Sequence, residues 1–257
     1  MSVWSTLPWW QFALMAVLFV WSGFVRSGLG FGGAALTLPM LLLIVDDPIL
    51  FLPAIGLQLL VFSSLTLATR LSHVDWAYLR YLCLGLFIPV TAGLVGLLNL
   101  PGSVLSLLVY LTTLTYGALY ILGRLVQSQS KTSDVFLLGL GGYVSGLSLT
   151  GAPLIAAVAA RGMRAASIRD TLFVLWIILV LVKLATFVAA DVDLQWRLAL
   201  ATLPFVTIGH VLGLRLHERI LAGGRSSVHR VIGVALTAVS VIGIWAVAPA
   251  VMALIVD

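Results

Sequence analysis

Long apolar segments separated by short polar connections make up almost the whole chain. A helix needs about 20 residues to cross the hydrocarbon core of a bilayer, and most of these segments reach that length. They lie near 8–26, 33–45, 50–69, 77–98, 104–123, 135–148, 152–160, 168–190, 196–216 and 229–251. The pattern predicts an all-α polytopic membrane protein that forms a single transmembrane domain over 1–257.

Three of the segments, 33–45, 135–148 and 152–160, are too short to span comfortably. They adjoin glycine-rich stretches, which is typical of broken or re-entrant helices. Such irregular backbone survives at membrane depth only where it faces protein or water. Each half of the chain is therefore expected to open with a broken or re-entrant helical hairpin and to continue with three transmembrane helices.

Lys and Arg are concentrated in alternate connections, and cytoplasmic loops are those that carry the excess of positive charge. Most of them lie near 70–80, 124–131, 161–169 and 215–230. Because 124–131 and 161–169 share one side, the segment between them must enter and return on that side. By the same reasoning, the segment 8–45 begins and ends on the other side. The second half is then inverted relative to the first, and both termini are predicted to be extracytoplasmic.

The sequence also repeats itself in a matching register. Residues 27–36 align with 145–154, and both stretches begin Ser-Gly-Leu. Further on, the stretch that ends at Trp76 is echoed by the stretch that ends at Trp196. Inverted repeats with broken helices in corresponding positions are typical of secondary transporters and point to the binding site. The predicted inverted repeats are 8–123 and 135–251.

Composition strengthens the membrane assignment. Hydrophobic residues make up 61% of the chain, charged residues 9%, and the mean hydropathy is +1.17, whereas a soluble domain carries about 25% charged residues. No Lys or Arg precedes the first apolar segment, so no signal peptide is expected. The single cysteine, Cys83, excludes a disulfide framework or a thiolate metal site. Scattered basic residues do not indicate nucleic acid, and we expect no metal and no cofactor. The sequence leaves the oligomeric state open.

The two glycine-rich turns are the candidate binding site. Each precedes a short helix, beginning near Gly33 and near Ala152, and free N–H groups at a helix start attract anions. The alternative is that these glycines only allow close helix packing, as small residues do in bilayers. The candidate substrate-binding residues are Arg26, Ser27, Gly28, Gly30, Gly32, Gly33, Ser145, Gly146, Ser148, Thr150, Gly151, Pro153 and Lys183.

The charges within the apolar segments favour an anionic substrate. Arg26 and Lys183 are embedded, and ionisable residues inside membranes are functional candidates by default. The alternative for each is a side chain that extends to the membrane interface. All nine acidic residues lie at predicted connections, ends or termini, whereas a cation carrier usually needs one in a helix centre. We expect that neutralising Arg26 or Lys183 weakens anion binding.

Two further polar features are candidates for coupling or for a pathway. Gln58 leads a polar streak on segment 50–69 that continues through Ser63, Ser64 and Thr66. His210 is the only histidine within a helix interior, and it suits either proton coupling or packing. Ser145 with His210 also suggests a membrane-embedded serine hydrolase, although the Gly-x-Ser-x-Gly pattern is not met. An anion channel is the nearer alternative to a carrier, and we expect no enzyme.

At the two turns the chain resembles the TauE/SafE family of sulfite and organosulfonate exporters. The likeness rests on Ser27 to Gly33 running on to Pro39, on Tyr143 to Leu154, and on the length, repeat and hydropathy of nearly the whole chain. The second turn has Ser148, Leu149 and Thr150 where that family often has more glycine. The resemblance implies export of small sulfur-containing anions, such as sulfite or sulfoacetate, across a bacterial inner membrane.

Overall fold

The computed structural model describes residues 7–29, 33–68, 70–124, 126–222 and 225–256. Over these ranges the chain forms ten α-helices and a short 3-10 turn at Leu71–His73. The helices are α1 (Trp9–Leu29), α2 (Gly33–Leu42), α3 (Pro48–Leu67), α4 (Trp76–Asn99), α5 (Gly102–Ile121), α6 (Lys131–Ser148), α7 (Ala152–Gly162), α8 (Ala165–Ala189), α9 (Trp196–Ala222) and α10 (Arg225–Val256). Each predicted apolar segment corresponds to one helix, which confirms the all-α polytopic membrane fold.

Seven of the described helices are long and apolar enough to cross a membrane. They correspond to the seven apolar segments that were not predicted to be too short, and they include α1, which is 21 residues long. By contrast, α2 and α7 have 10 and 11 residues, or about 15 to 17 Å of helix. That is roughly half of the hydrocarbon core, so these two helices return only part of the way across it.

Several helix starts are encoded by their local sequence. The Asp47 carboxylate accepts hydrogen bonds from the N–H groups of Ile49 and Leu50 at 3.0 and 3.2 Å, and Pro48 occupies the first position of α3, where its missing N–H costs nothing. Asp75 caps α4 through the N–H of Tyr78 at 3.0 Å. Acidic residues placed at helix starts in this way satisfy backbone donors that the helix itself leaves free.

The longer arm of each hairpin packs on a helix from the other half of the chain through glycine. Gly23 of α1 and Gly209 of α9 each lie directly against the backbone of the partner helix. Gly93 of α4 and Gly146 of α6 do the same. In both pairs the contacts advance together along the two helices, so α1 runs parallel to α9 and α6 runs parallel to α4. Because glycine has no side chain, the backbones of the two helices in each pair can come into direct contact, as small residues allow in membrane proteins.

The helix directions place the two hairpins at opposite ends of the bundle. The start of α8 packs on the turn between α3 and α4, where the Asp75 N–H donates to the Thr171 hydroxyl at 3.0 Å. The hairpin α6–α7 begins and ends at this end, which we call the arginine-rich end because it carries Arg70, Arg161, Arg164 and Arg169. Hairpin α1–α2 begins and ends at the opposite end, beside the start of α3. This arrangement is the one that inverted repeats require, and the repeat itself stays a prediction.

An ion pair joins the two ends of the α6–α7 hairpin. The Arg161 guanidinium donates to both oxygens of Asp134, through Nε at 3.0 Å and through Nη2. The Asp134 side chain is buried, whereas that of Arg161 is 35% exposed. The pair therefore holds the end of α7 beside the start of α6.

We expect Asp134→Asn to lower the free energy of unfolding by about 1–2 kcal/mol. The value lies between the small effect of exposed ion pairs and the larger cost of leaving a buried charge without its partner. Thermal unfolding in detergent measures it. The matched control is Asp46→Asn, the same change at a residue outside this pair, and equal losses in the two variants would contradict a stabilising role for the pair.

Candidate functional site

A cavity lies in the middle of the bundle, where the two short helices begin. The first residues of α2, Gly33 and Ala34, and the first residue of α7, Ala152, line it together. Its volume is about 40 Å³, which is room for about three water molecules. The two glycine-rich turns, far apart in sequence, are therefore brought to a shared space.

The Arg26 guanidinium is the charged group of this cavity. Its side chain is only 6% exposed, and its Nη1 donates to the Gln58 carbonyl oxygen at 3.3 Å. Its Nε and Nη2 are buried and make no hydrogen bond to any residue that the structure describes. Its Cζ lies 5.9 Å from the ring centre of Phe62. A buried guanidinium with two unused donors is costly unless a ligand satisfies them.

Two serine hydroxyls add polar groups to the cavity wall. Ser63 of α3 and Ser145 of α6 both line it. The side chains are 2% and 4% exposed, and neither Oγ has a partner within the described part of the chain. Their hydroxyls can each donate one hydrogen bond to an anion. Ser63 belongs to the polar streak seen in the sequence, and Ser145 to the second glycine-rich turn.

The remaining wall is apolar and comes mainly from α8. Phe173, Trp176, Leu179 and Val180 line the cavity, and their spacing places them on one face of the helix. Sequence patterning did not single these residues out, because the apolar residues of α8 are spread around the whole helix. Leu149 also lines the cavity, and its backbone is left-handed, with φ of 60°.

The predicted residues of the first turn divide between the cavity and the helix contacts. Gly33 lines the cavity, and its Cα faces the Arg26 side chain, since a Cβ there would lie 3.2 Å from the Arg26 Cβ. Ser27 instead bonds His210 through its hydroxyl, and Gly28 packs beside Gly213 of α9. Gly30 and Gly32 lie outside the described residues.

Most residues of the second turn lie away from the cavity lining. The Ser148 and Thr150 hydroxyls bond each other at 2.8 Å. Gly146 faces α4, and Gly151 packs closely against Gly141 and Ser145. Those two glycines therefore match the packing alternative raised from the sequence.

The start of α7 offers few backbone donors to an anion. Pro153 has no N–H, and the Leu154 N–H bonds the Gly151 carbonyl at 3.1 Å. The amides left for a ligand at this helix start are those of Gly151 and Ala152. The α7 contribution is thus smaller than that of an ordinary helix N-terminus, which has four free N–H groups.

Lys183 is buried but takes a structural contact. Its side chain is 2% exposed, so it does not extend to the membrane interface. Its Nζ donates to the Gly146 carbonyl oxygen, and it does not belong to the cavity lining. This contact joins α8 to α6. Lys183 lies one turn beyond Leu179 and Val180 on the same face of α8, so the contact is next to the cavity.

Gln58 and His210 also connect helices. The Gln58 amide donates to the Thr202 hydroxyl at 2.6 Å and to the Ala199 carbonyl at 3.4 Å, which joins α3 to α9. His210 bonds Ser27 and contacts the Phe62 ring, with ring centres 4.8 Å apart and the planes tilted by 40°. The Ser145–His210 pair that a serine hydrolase would need is not formed, because His210 faces Ser27.

Seven helices of spanning length and a buried guanidinium beside a central cavity are typical of a polytopic membrane protein. The model of the family described as sulfite exporter TauE/SafE matches residues 14–248. The chain therefore belongs to the TauE/SafE family, as its resemblance predicted. No curated protein and no solved structure matches it significantly.

Proposed function

We propose that the protein is a secondary transporter that exports small sulfur-containing anions, sulfite or an organosulfonate such as sulfoacetate. The observation that carries this proposal is the buried Arg26 guanidinium, which presents two unused donors in the cavity where α2 and α7 begin. Family membership supports the sulfur anion as the class of substrate.

The chemistry of the cavity suits one oxyanion head group. A guanidinium fork donates two parallel hydrogen bonds to an oxyanion and carries the compensating charge. The Ser63 and Ser145 hydroxyls and the amides near Gly33 and Ala152 supply further donors. The apolar wall from α8, including Trp176, would lie along the carbon skeleton of an organosulfonate. No carboxylate belongs to the described lining, so no negatively charged side chain there repels an anion.

The size of the cavity favours alternating access. A space for about three waters is too small for sulfoacetate, so the cavity must widen to bind it. In the proposed mechanism it widens to one side at a time. Opposed hairpins that start at opposite ends of the bundle support motion of one half against the other. The arginine-rich end would face the cytoplasm of a bacterial cell.

Thermal unfolding of the purified protein with a panel of ligands tests the substrate class. The panel is sulfite, sulfoacetate, a simple carboxylate, phosphate and a cation control. A ligand at about 100 times its Kd stabilises the folded protein by about 2.7 kcal/mol, which raises Tm by about 5 °C or more. We expect this shift for the sulfur anions only. No shift with any anion, or a shift with the cation alone, would overturn the proposal.

A further inference from the structure

A second polar region continues from the cavity toward the arginine-rich end. We call it the polar seam, and it is lined by Arg26, Ser27, Ser63, Thr66, Arg169 and His210. Arg26 and Ser63 also line the cavity, so the two regions adjoin. Arg26, Ser27 and Ser63 are buried, and polar groups buried inside a membrane are functional candidates by default.

The α8 helix shows the direction of the seam. Arg169 lies near the start of α8 at the arginine-rich end, and Phe173 follows it one turn later. Phe173 lines both the seam and the cavity, and Trp176 and Val180 continue the same face along the cavity wall. This face of α8 therefore runs without interruption from Arg169 to the central cavity.

Arg169 resembles Arg26 in having an unused donor. Its Nε is buried and makes no hydrogen bond within the described ranges, and its Cζ lies 5.4 Å from the Phe173 ring centre. The neighbouring Asp170 is turned to the turn between α3 and α4, where its Oδ2 lies 3.9 Å from Nδ1 of His73. Asp170 therefore does not belong to the described lining of the seam.

Aromatic rings close the seam in this conformation. Phe62 is in contact with the Arg26 guanidinium and with the His210 ring, and Phe173 is in contact with Arg169. The space left between the lining residues does not admit a water molecule. Both rings would have to move before an anion could pass.

We infer that the polar seam is the route by which an anion travels between the arginine-rich end and the cavity, with Arg169 and then Arg26 as its successive binding groups. The inference rests on the proposed function and adds a second anion site to it. An anion entering from that end meets Arg169 first, and the Ser27, Ser63 and Thr66 hydroxyls lie along the way to Arg26. The ligand class is an oxyanion with a sulfonate-like head group.

Thiol accessibility tests the route without any substrate. In a Cys83→Ser background, Ser63→Cys places a thiol where the seam meets the cavity, and Ser64→Cys places one at the same depth on the exposed face of α3. Gln127→Cys, in a connection at the arginine-rich end, identifies that side of the vesicles. We expect a membrane-impermeant maleimide added on that side to modify the thiol of the Ser63→Cys variant but not that of the Ser64→Cys variant. Modification of both, of neither, or from the opposite side only would overturn the route.

Charge selectivity tests the role of Arg169. In the Ser63→Cys variant, the ratio of the modification rates by a sulfonate-bearing maleimide and a neutral maleimide measures how strongly the seam attracts anions. Focused positive charge raises anion encounter rates by about tenfold or more, so we expect Arg169→Gln to lower the ratio about tenfold. Arg164→Gln, the same change at an exposed arginine of the same end, should leave it unaltered.

The outcomes separate this inference from the proposed function. If wild-type protein is stabilised by sulfur anions but Arg169→Gln leaves the selectivity ratio unchanged, the seam assignment is wrong and the central site stands. If the Ser63→Cys thiol is modified selectively but no sulfur anion stabilises the protein, the route stands and the proposed substrate is wrong. Slower modification by both reagents in Arg169→Gln would indicate a structural role for this arginine and would also overturn its assignment as a binding group.

Discussion

The Arg26→Gln variant is expected to bind sulfur anions about a hundredfold more weakly than the wild-type protein. Two hydrogen bonds from a buried charged group contribute about 3 kcal/mol to binding, and glutamine supplies neither the charge nor the fork. The fold should persist, because removing a buried charge without a counter-ion relieves a desolvation cost. Ligand titrations followed by thermal unfolding give both quantities, the affinity and the stability of the unliganded protein.

Two further variants test whether the loss of affinity depends on the geometry and the position of the Arg26 charge. Arg26→Lys keeps the charge but loses the planar fork, so its affinity for sulfur anions should fall between those of the Arg26→Gln variant and the wild-type protein. Arg197→Gln makes the same change of charge at an exposed arginine of the opposite end and should bind normally. An Arg26→Gln protein that is folded and retains wild-type affinity would remove Arg26 from the site and leave the cavity without its charged group.

The second large effect is expected at Gly146, where Gly146→Ala should lower the free energy of unfolding by about 3 kcal/mol. A Cβ at this position would meet the Val90 carbonyl oxygen and the Gly93 backbone of α4. Neither is a flexible side chain, so one helix must move, and overpacking of this kind typically costs about 1–3 kcal/mol. The Lys183 contact with the Gly146 carbonyl would shift with it. Thermal unfolding in detergent measures the loss.

Gly139→Ala is the matched control on the same helix. A Cβ at Gly139 meets nothing within 4 Å, and alanine is favoured over glycine in a helix by up to about 1 kcal/mol. The control should therefore be as stable as the wild-type protein or slightly more so. Equal stabilities of the Gly146 and Gly139 variants would contradict the close α4–α6 crossing.

Gly146 also illustrates what the turn motif left open. The repeat made Gly146 a candidate for substrate binding and, equally, for close packing of helices. In the structure Gly146 packs on Gly93 of α4, more than 50 positions earlier in the chain, and its role in substrate binding stays a prediction. Ser148 and Thr150 were expected as anion donors, yet their hydroxyls bond each other. The sequence does not show which way a hydroxyl group points, because that orientation depends on the backbone path of the turn.

Other site residues could not be identified without the structure. Phe173, Trp176 and Val180 belong to a helix whose apolar residues are spread around its whole circumference, so periodicity did not distinguish them from its other apolar residues. Arg169 read as one of several positive charges at a cytoplasmic end. Its position in the polar seam depends on the orientation in which α8 packs against α3. Lys183 was identified as embedded, but its contact with the Gly146 carbonyl depends on the packing of α6 against α8.

The sequence by itself determined that the protein lies in a lipid bilayer, how many helices it has, and roughly where most of them begin and end. It also determined the two short helices that follow glycine. These features follow from local quantities: hydropathy over about 20 residues, caps such as Asp47 and Asp75, and breaks at glycine. Only the tertiary structure decided that the helices beginning at Gly33 and Ala152 start at one cavity, that Arg26 lines this cavity, and that His210 contacts Ser27. Each of these depends on the angle and rotation at which helices distant in sequence pack. The sequence does not determine that rotation where apolar residues surround most of a helix.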